Sequence, residues 1–168
     1  PLVYCYQNLE PVPDDMQSIF LAGPSSRDDV LNFKWRPYAC HYLRNTGFDG
    51  VIIVPEPRND DWSFKKTFPT DIVEWEATRL LGVTLGFIWI PRHPVQLPGR
   101  VTNTESGFLG GMAYADPVLF KERMIWGYPT NAWKVKSEHH WLCNVAGIKP
   151  FHDLKELCEH AQDRLQKK

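Results

Sequence analysis

The chain has 168 residues, 43% of them hydrophobic, and a formal net charge of -1, which suits one globular domain with a buried core and supplies no basic footprint for nucleic acid or an anionic membrane. No apolar run reaches the length of a membrane span. The opening residues Pro1-Leu2-Val3-Tyr4-Cys5-Tyr6 lack a charged segment followed by a long apolar one, so neither a membrane anchor nor a signal peptide is expected and the location is read as cytoplasmic.

A single domain is expected over residues 1–168. Val3-Tyr4-Cys5-Tyr6 has strand character, so residues 1–15 form either an N-terminal arm or an extra edge strand. Ser18-Ile19-Phe20-Leu21-Ala22 reads as a first central strand, ended by Gly23-Pro24. Residues 28–45 carry apolar side chains at helical spacing, among them Val30, Leu31, Trp35, Ala39, Tyr42 and Leu43. Pro37 kinks that helix or marks its effective start. Asp49-Gly50-Val51-Ile52-Ile53-Val54-Pro55 is a continuous apolar run, as in a strand covered on both faces. A long polar and aromatic loop follows over 56–69, of a length that is usually functional or mobile.

Thr70 caps a second helix over 71–81, and residues 84–90 form the third strand. After the loop 92–102 a third helix is expected from Glu105 through Tyr114, with Asn103 or Thr104 as its cap. Residues 121–128 contain the fourth strand, and a short fifth strand falls within 141–145. Residues 151–166 close the chain as an amphipathic helix, with Leu154, Leu157, Cys158, Ala161 and Leu165 on one face. Strands alternating with helices imply a parallel sheet.

The cysteines, Cys5, Cys40, Cys143 and Cys158, are scattered without a CxxC pair. Metal sites need closely spaced ligand pairs, and the adjacent His139 and His140 diverge in a strand or helix. Free thiols and no metal are the expectation. With no GxGxxG or P-loop pattern, no nucleotide cofactor is expected either. Seven Trp and six Tyr supply core and can also sandwich a flat ligand.

Glu105 is the leading candidate for chemistry. A first-turn position just beyond the C-terminal end of a strand puts a carboxylate where open α/β sheets bind ligands, and the helix N-terminus favours its ionised form. The competing reading is that Glu105 only complements the helix dipole.

Several motifs occur together and in order over 18–128: Phe20-Leu21-Ala22-Gly23-Pro24, Trp35-Arg36, Val54-Pro55-Glu56-Pro57, Trp75-Glu76, Phe87-Ile88-Trp89-Ile90-Pro91-Arg92, and Thr102-Asn103-Thr104-Glu105-Ser106-Gly107. In these the chain resembles the nucleoside 2-deoxyribosyltransferase-like family. The resemblance implies an α/β fold, a flavodoxin-like (Rossmann-like) three-layer sandwich around a central parallel five-stranded sheet. It also implies cleavage of an N-glycosidic bond. Glu105 matches the family's nucleophile, which attacks the anomeric carbon before the sugar passes to another base. Such double displacement through a glycosyl ester retains configuration. Glu76 matches the family's acidic residue near the base and takes the role of assisting the departing base, with Asp71 as the reserve acid.

The Gly23-Pro24 turn is expected to let a ligand approach the backbone. Trp62 and Phe64 either cover the base or anchor their loop. The family's Asp a few residues before the nucleophile is missing, since Gln96-Leu97-Pro98-Gly99-Arg100-Val101 holds no acid. Sugar contacts are therefore assigned to Thr102, Asn103 or backbone. Ser25, with Ser26, Arg27, Arg36 and Ser106, is a candidate 5′-phosphate site. The expected ligands are a nucleoside or nucleotide and a free nucleobase. The aromatic surplus and the resemblance together imply a dimer-based homo-oligomer. Two other functions remain open: a nucleoside or nucleoside 5′-monophosphate N-glycosidase, with water as acceptor, and a non-catalytic nucleotide sensor.

Overall fold

The computed structural model describes residues 1–5, 9–24, 35–56, 72–94 and 100–166, and within them the side chains of all but 72–73 and 100–106. Five parallel strands form one sheet: β1 (Leu2–Cys5), β2 (Ser18–Ala22), β3 (Val51–Val54), β4 (Leu85–Trp89) and β5 (Met124–Gly127), in the spatial order β1-β3-β2-β4-β5. Every residue of β2, β3, β4 and β5 is buried, as their unbroken apolar runs require in a sheet covered on both faces. β1 alternates in exposure as an edge strand does, with Tyr4 opposite Ile53. The fifth strand is thus the N-terminal segment.

Helices cover both faces. On one side Ile19, Leu21, Ile52, Phe87 and Ile125 pack against α1 (Trp35–Asn45) and α6 (Leu154–Gln166). On the other, Phe20, Ala22, Ile53, Ile88 and Trp126 pack against α2 (Ile72–Gly82), α3 (Arg100–Ala115), α4 (Pro117–Arg123) and a π-helical segment, His139–Val145. This is the three-layer, flavodoxin-like α/β architecture. Pro37 sits in the first turn of α1, where its missing N–H costs no helical hydrogen bond. On α6, Leu157, Cys158, Ala161 and Leu165 are buried, and Asp153 caps the helix by accepting from the Lys155 and Glu156 amides. Among the described residues no helix is long and apolar enough to cross a membrane.

Two expectations are corrected, and one helix was not foreseen. Residues 141–145 form part of the π-helical segment, preceded by the short α5 (Lys136–Glu138), instead of a strand. Trp141 lies there against Gly110 of α3, where an added Cβ would come within 2.7 Å of its ring. That tertiary contact outweighs the strand preference of Trp and Val. The fourth strand is preceded by α4, whose start was legible: the Asp116 side chain accepts from the Leu119 amide and Pro117 opens the helix. Finally, α3 begins at Arg100 rather than Glu105.

The junction of α2 and β4 is tied to the start of β2. The Ser18 amide donates to Thr84 Oγ1 at 3.0 Å and the Thr84 amide donates to Ser18 Oγ at 3.1 Å. Arg123, ending α4, donates to the Leu81 and Val83 carbonyls at 2.7 and 2.5 Å. These contacts fix the C-terminal ends of α2 and α4 at the N-terminal edge of the sheet. The starts of α2 and α3, each linking two parallel strands, consequently belong to the opposite edge.

Candidate functional site

The chain goes from β2 outward to β3 and then back across to β4, so the strand order reverses between β2 and β4. Ligands of open α/β sheets bind outside the carboxyl ends at such a point. Two strand exits meet there: Gly23-Pro24 after β2 and Ile90-Pro91-Arg92 after β4.

Gly23 has φ +144°, and a Cβ built on it would lie 2.0 Å from the Trp89 carbonyl oxygen and 3.1 Å from Trp35 Cζ2. The space freed by the missing side chain is therefore taken by the protein's own β4 exit. Close backbone approach is the reason for glycine here, as expected, but the approaching group is Trp89. Beside it, Trp35 Nε1 donates to the Pro24 carbonyl at 3.1 Å, and the Trp35 ring stacks on Phe87.

Arg36, 2% exposed, lies next on α1. Its Nε donates to the Leu21 carbonyl at 2.9 Å, Nη2 donates to the Gly23 carbonyl, and Nη1 meets Glu56 Oε1 at 2.5 Å. The guanidinium also sits 4.5 Å from the Trp35 ring centroid. A fork so placed is a clamp on strand ends.

The β4 exit has a second clamp. Arg92 Nη2 pairs with Glu138 Oε1 at 2.5 Å, with side chains 4% and 2% exposed. Arg92 Nη1 donates to the Lys134 carbonyl at 2.5 Å, and the Trp133 amide donates to the Arg92 carbonyl at 2.9 Å. Lys134 is held at φ +48°. Sequence reasoning missed Glu138. It lies 46 residues from its partner in a stretch without a motif, so no local signal marks it.

On α2, Trp75 is buried against Phe20 with ring centroids 6.4 Å apart. It serves the core. Glu74 is exposed and Glu76 half-buried. Arg79 lies 5.7 Å from the Trp75 ring and 5.8 Å from Tyr4, and donates to the Glu10 carbonyl at 2.8 Å. It ties the segment before β2 onto α2.

Since α3 starts at Arg100, Thr102, Asn103, Thr104 and Glu105 all lie within the helix, and its first turn carries no acid. Glu105 is in the second turn, beyond the reach of most of the dipole effect. Glu76 likewise belongs to the second turn of α2. Both helices pack on the same face of the sheet, through Trp75 and Leu80 of α2 and Leu109 and Ala113 of α3. Glu76 and Glu105 therefore belong to helices that cover the same face of the sheet. Gly23 and Pro24 occupy the β2 exit at the carboxyl edge. Ser25, Trp62 and Asp71 lie outside the described residues, as do Ser26, Arg27 and Phe64. Of Thr102, Asn103, Glu105 and Ser106 only the backbone is described.

All four cysteines are free. Burial, with a contribution from Cys5, pushes the Cys40 thiol up to about 12, and burial with a contribution from Cys40 does the same to Cys158. Both stay protonated at neutral pH and are inert as nucleophiles. Among the described residues no group of three or more His, Cys, Asp or Glu side chains is arranged to hold a metal. No protein-family model matches the chain, and no curated protein sequence matches it.

Proposed function

We propose that the protein cleaves the N-glycosidic bond of a (2-deoxy)ribonucleoside and transfers the 2-deoxyribosyl group to another nucleobase. The observation that carries this reading is the pair of second-turn carboxylates, Glu76 on α2 and Glu105 on α3, on helices that share one face and start at the ligand-binding edge of the sheet. The ordered sequence motifs supply the chemistry. The role proposed for Glu105 rests on its place in the Thr102–Gly107 motif and not on the helix dipole.

In the first step a Glu105 carboxylate oxygen bonds to the anomeric carbon as the bond to the base nitrogen breaks. The released electron pair stays on the base, which takes a proton or hydrogen bond from Glu76. In the second step the nitrogen of an incoming base attacks the same carbon and gives up its proton to Glu76, the ester bond breaks, and Glu105 returns to a carboxylate. Water in place of the second base makes the same machinery a hydrolase. Thr102 and Asn103, on the turn of α3 before Glu105, are the proposed sugar contacts. Trp62, Asp71 and Ser25 complete the proposed binding set. No metal or cofactor takes part in this scheme.

A panel of deoxynucleosides and nucleoside 5′-monophosphates, incubated with and without free bases and resolved by chromatography, tests the proposal. Exchanged nucleosides support it. Free sugar without exchange means hydrolysis, and binding without any product means a sensor. Glu105→Gln should lower turnover by on the order of 10³-fold or more, and near-normal turnover in that variant removes the mechanism. Glu76→Gln should slow poor leaving groups far more than activated ones; an equal loss across the series would make Glu76 a structural residue.

A cytoplasmic homo-oligomer built on dimers belongs to the same proposal. Exposed apolar side chains along α3 and α4 support it: Phe108, Tyr114, Val118 and Leu119, of which Tyr114 is 78% exposed. A stable monomer by light scattering at micromolar concentration would refute it.

A further inference from the structure

We infer that Arg36 is a positioning residue that wedges the ends of β2 and β3 apart and so sets the shape of the β2 exit turn against which the ligand lies. This rests on the reading that a nucleoside occupies the carboxyl edge of the sheet.

The pairing registers show where the wedge enters. β2 pairs with β4 as far as Ala22 opposite Ile88, but with β3 only as far as Phe20 opposite Ile53. Past Phe20 the β3-facing side of β2 has no strand partner. Carbonyls two residues apart on an extended strand point the same way, and those of Leu21 and Gly23 both accept from Arg36. The third arm of the guanidinium reaches Glu56, two residues beyond the end of β3. One planar fork therefore replaces the missing ladder and bridges the two diverging chains. Trp35, its neighbour on α1, takes the next carbonyl, that of Pro24. Three carbonyls over four residues of the exit turn are thus fixed by two adjacent side chains, and Gly23 is jammed under Trp89. A turn held so tightly has one conformation before ligand arrives. Lysine, a point charge without a fork, cannot span the same three acceptors.

The test compares wild type with Arg36→Lys by hydrogen–deuterium exchange and by steady-state kinetics of base exchange. Arg36→Lys should speed amide exchange at residues 20–23 at least tenfold while leaving β5 unchanged. It should raise KM for the nucleoside at least tenfold and change kcat by less than threefold. Exchange as slow as in wild type, protection lost evenly over all strands, or a looser turn with unaltered KM would each overturn the inference. Should Arg36→Lys fail to fold, Glu56→Gln decides by the same readouts, since it removes only the charge facing the guanidinium. A wild-type protein that turns over no nucleoside defeats the functional reading, whereas the exchange pattern still decides whether Arg36 holds the turn.

Discussion

Replacing Gly23 with alanine probes the point where β2 and β4 leave the sheet. Two costs add. The backbone at φ +144° is a conformation that residues with a Cβ rarely adopt, worth about 1–3 kcal/mol of strain. The new methyl would also lie 2.0 Å from the Trp89 carbonyl oxygen. Backbone cannot swing aside as a flexible side chain does, so the exits must separate, at about the 1–3 kcal/mol typical of overpacking. Together the loss is roughly 2–6 kcal/mol from a total of about 5–15 kcal/mol for an ordinary domain. At about 2–4 °C per kcal/mol for a chain of this size, the melting temperature should fall by on the order of 10 °C. Urea unfolding followed by tryptophan fluorescence measures it. Gly111→Ala is the control, because a Cβ there meets nothing within 4 Å on an exposed turn of α3; it should gain up to about 1 kcal/mol. If Gly23→Ala loses less than about 1 kcal/mol, the packing of the two exits described here is wrong.

The buried Arg92–Glu138 pair makes a second test: Arg92→Met should cost about 3–5 kcal/mol by taking the guanidinium away from a buried carboxylate, while adding Glu138→Leu should recover most of it. A double variant as unstable as the single one would contradict this. At pH 8 a thiol raised to about 12 holds on the order of a thousandfold less thiolate than one at its ordinary value of 9.0. Cys40 and Cys158 should therefore resist Ellman's reagent until the protein unfolds, whereas half-buried Cys143 reacts in the native state. The same shift is linked to stability: a folded value above the unfolded one leaves the contribution whole below about pH 9 and removes it as pH rises towards 12. Stability that stays flat from pH 8 to 11 would show that these thiols are not buried as described.

The sheet was legible because burial on both faces leaves a direct trace. Val51-Ile52-Ile53-Val54 and Leu85-Gly86-Phe87-Ile88-Trp89 carry no polar residue, a pattern that only a doubly covered strand can use. Leu2–Cys5 is harder, since an edge strand alternates, and its strand character alone leaves arm and edge strand equally open. Trp141 and Val145 misled because β-propensity measures fit to a pleated surface, and here the Trp141 ring serves α3 by filling the space beside Gly110. The start of α3 was misplaced for a related reason. Asn103 and Thr104 are good caps wherever they precede a helix, yet Thr102 and both of them lie inside this one, and nothing local distinguishes a cap from a tolerated interior polar residue.

The site divides along the same line. Gly23 could be named from sequence, because its turn follows a strand and glycine answers to a local backbone demand. What it accommodates could not, because Trp89 arrives from a strand 66 residues further on. Arg36 and Arg92 sit in recognisable motifs, but their partners, Glu56 and Glu138, belong to other elements. A buried guanidinium must find a carboxylate, and the sequence does not say which one. Each of the two strand exits flanking the topological switch point is locked by an Arg–Glu pair, a half-buried one across β2 and β3 and a buried one from β4 to α5. Buried pairs of this kind add little net stability, so their value lies in geometry. In the proposed function reacting groups must be held to within a fraction of an ångström for catalysis to profit from proximity, and two rigid exits packed on one another at Gly23 and Trp89 give the carboxyl edge of the sheet such a fixed frame.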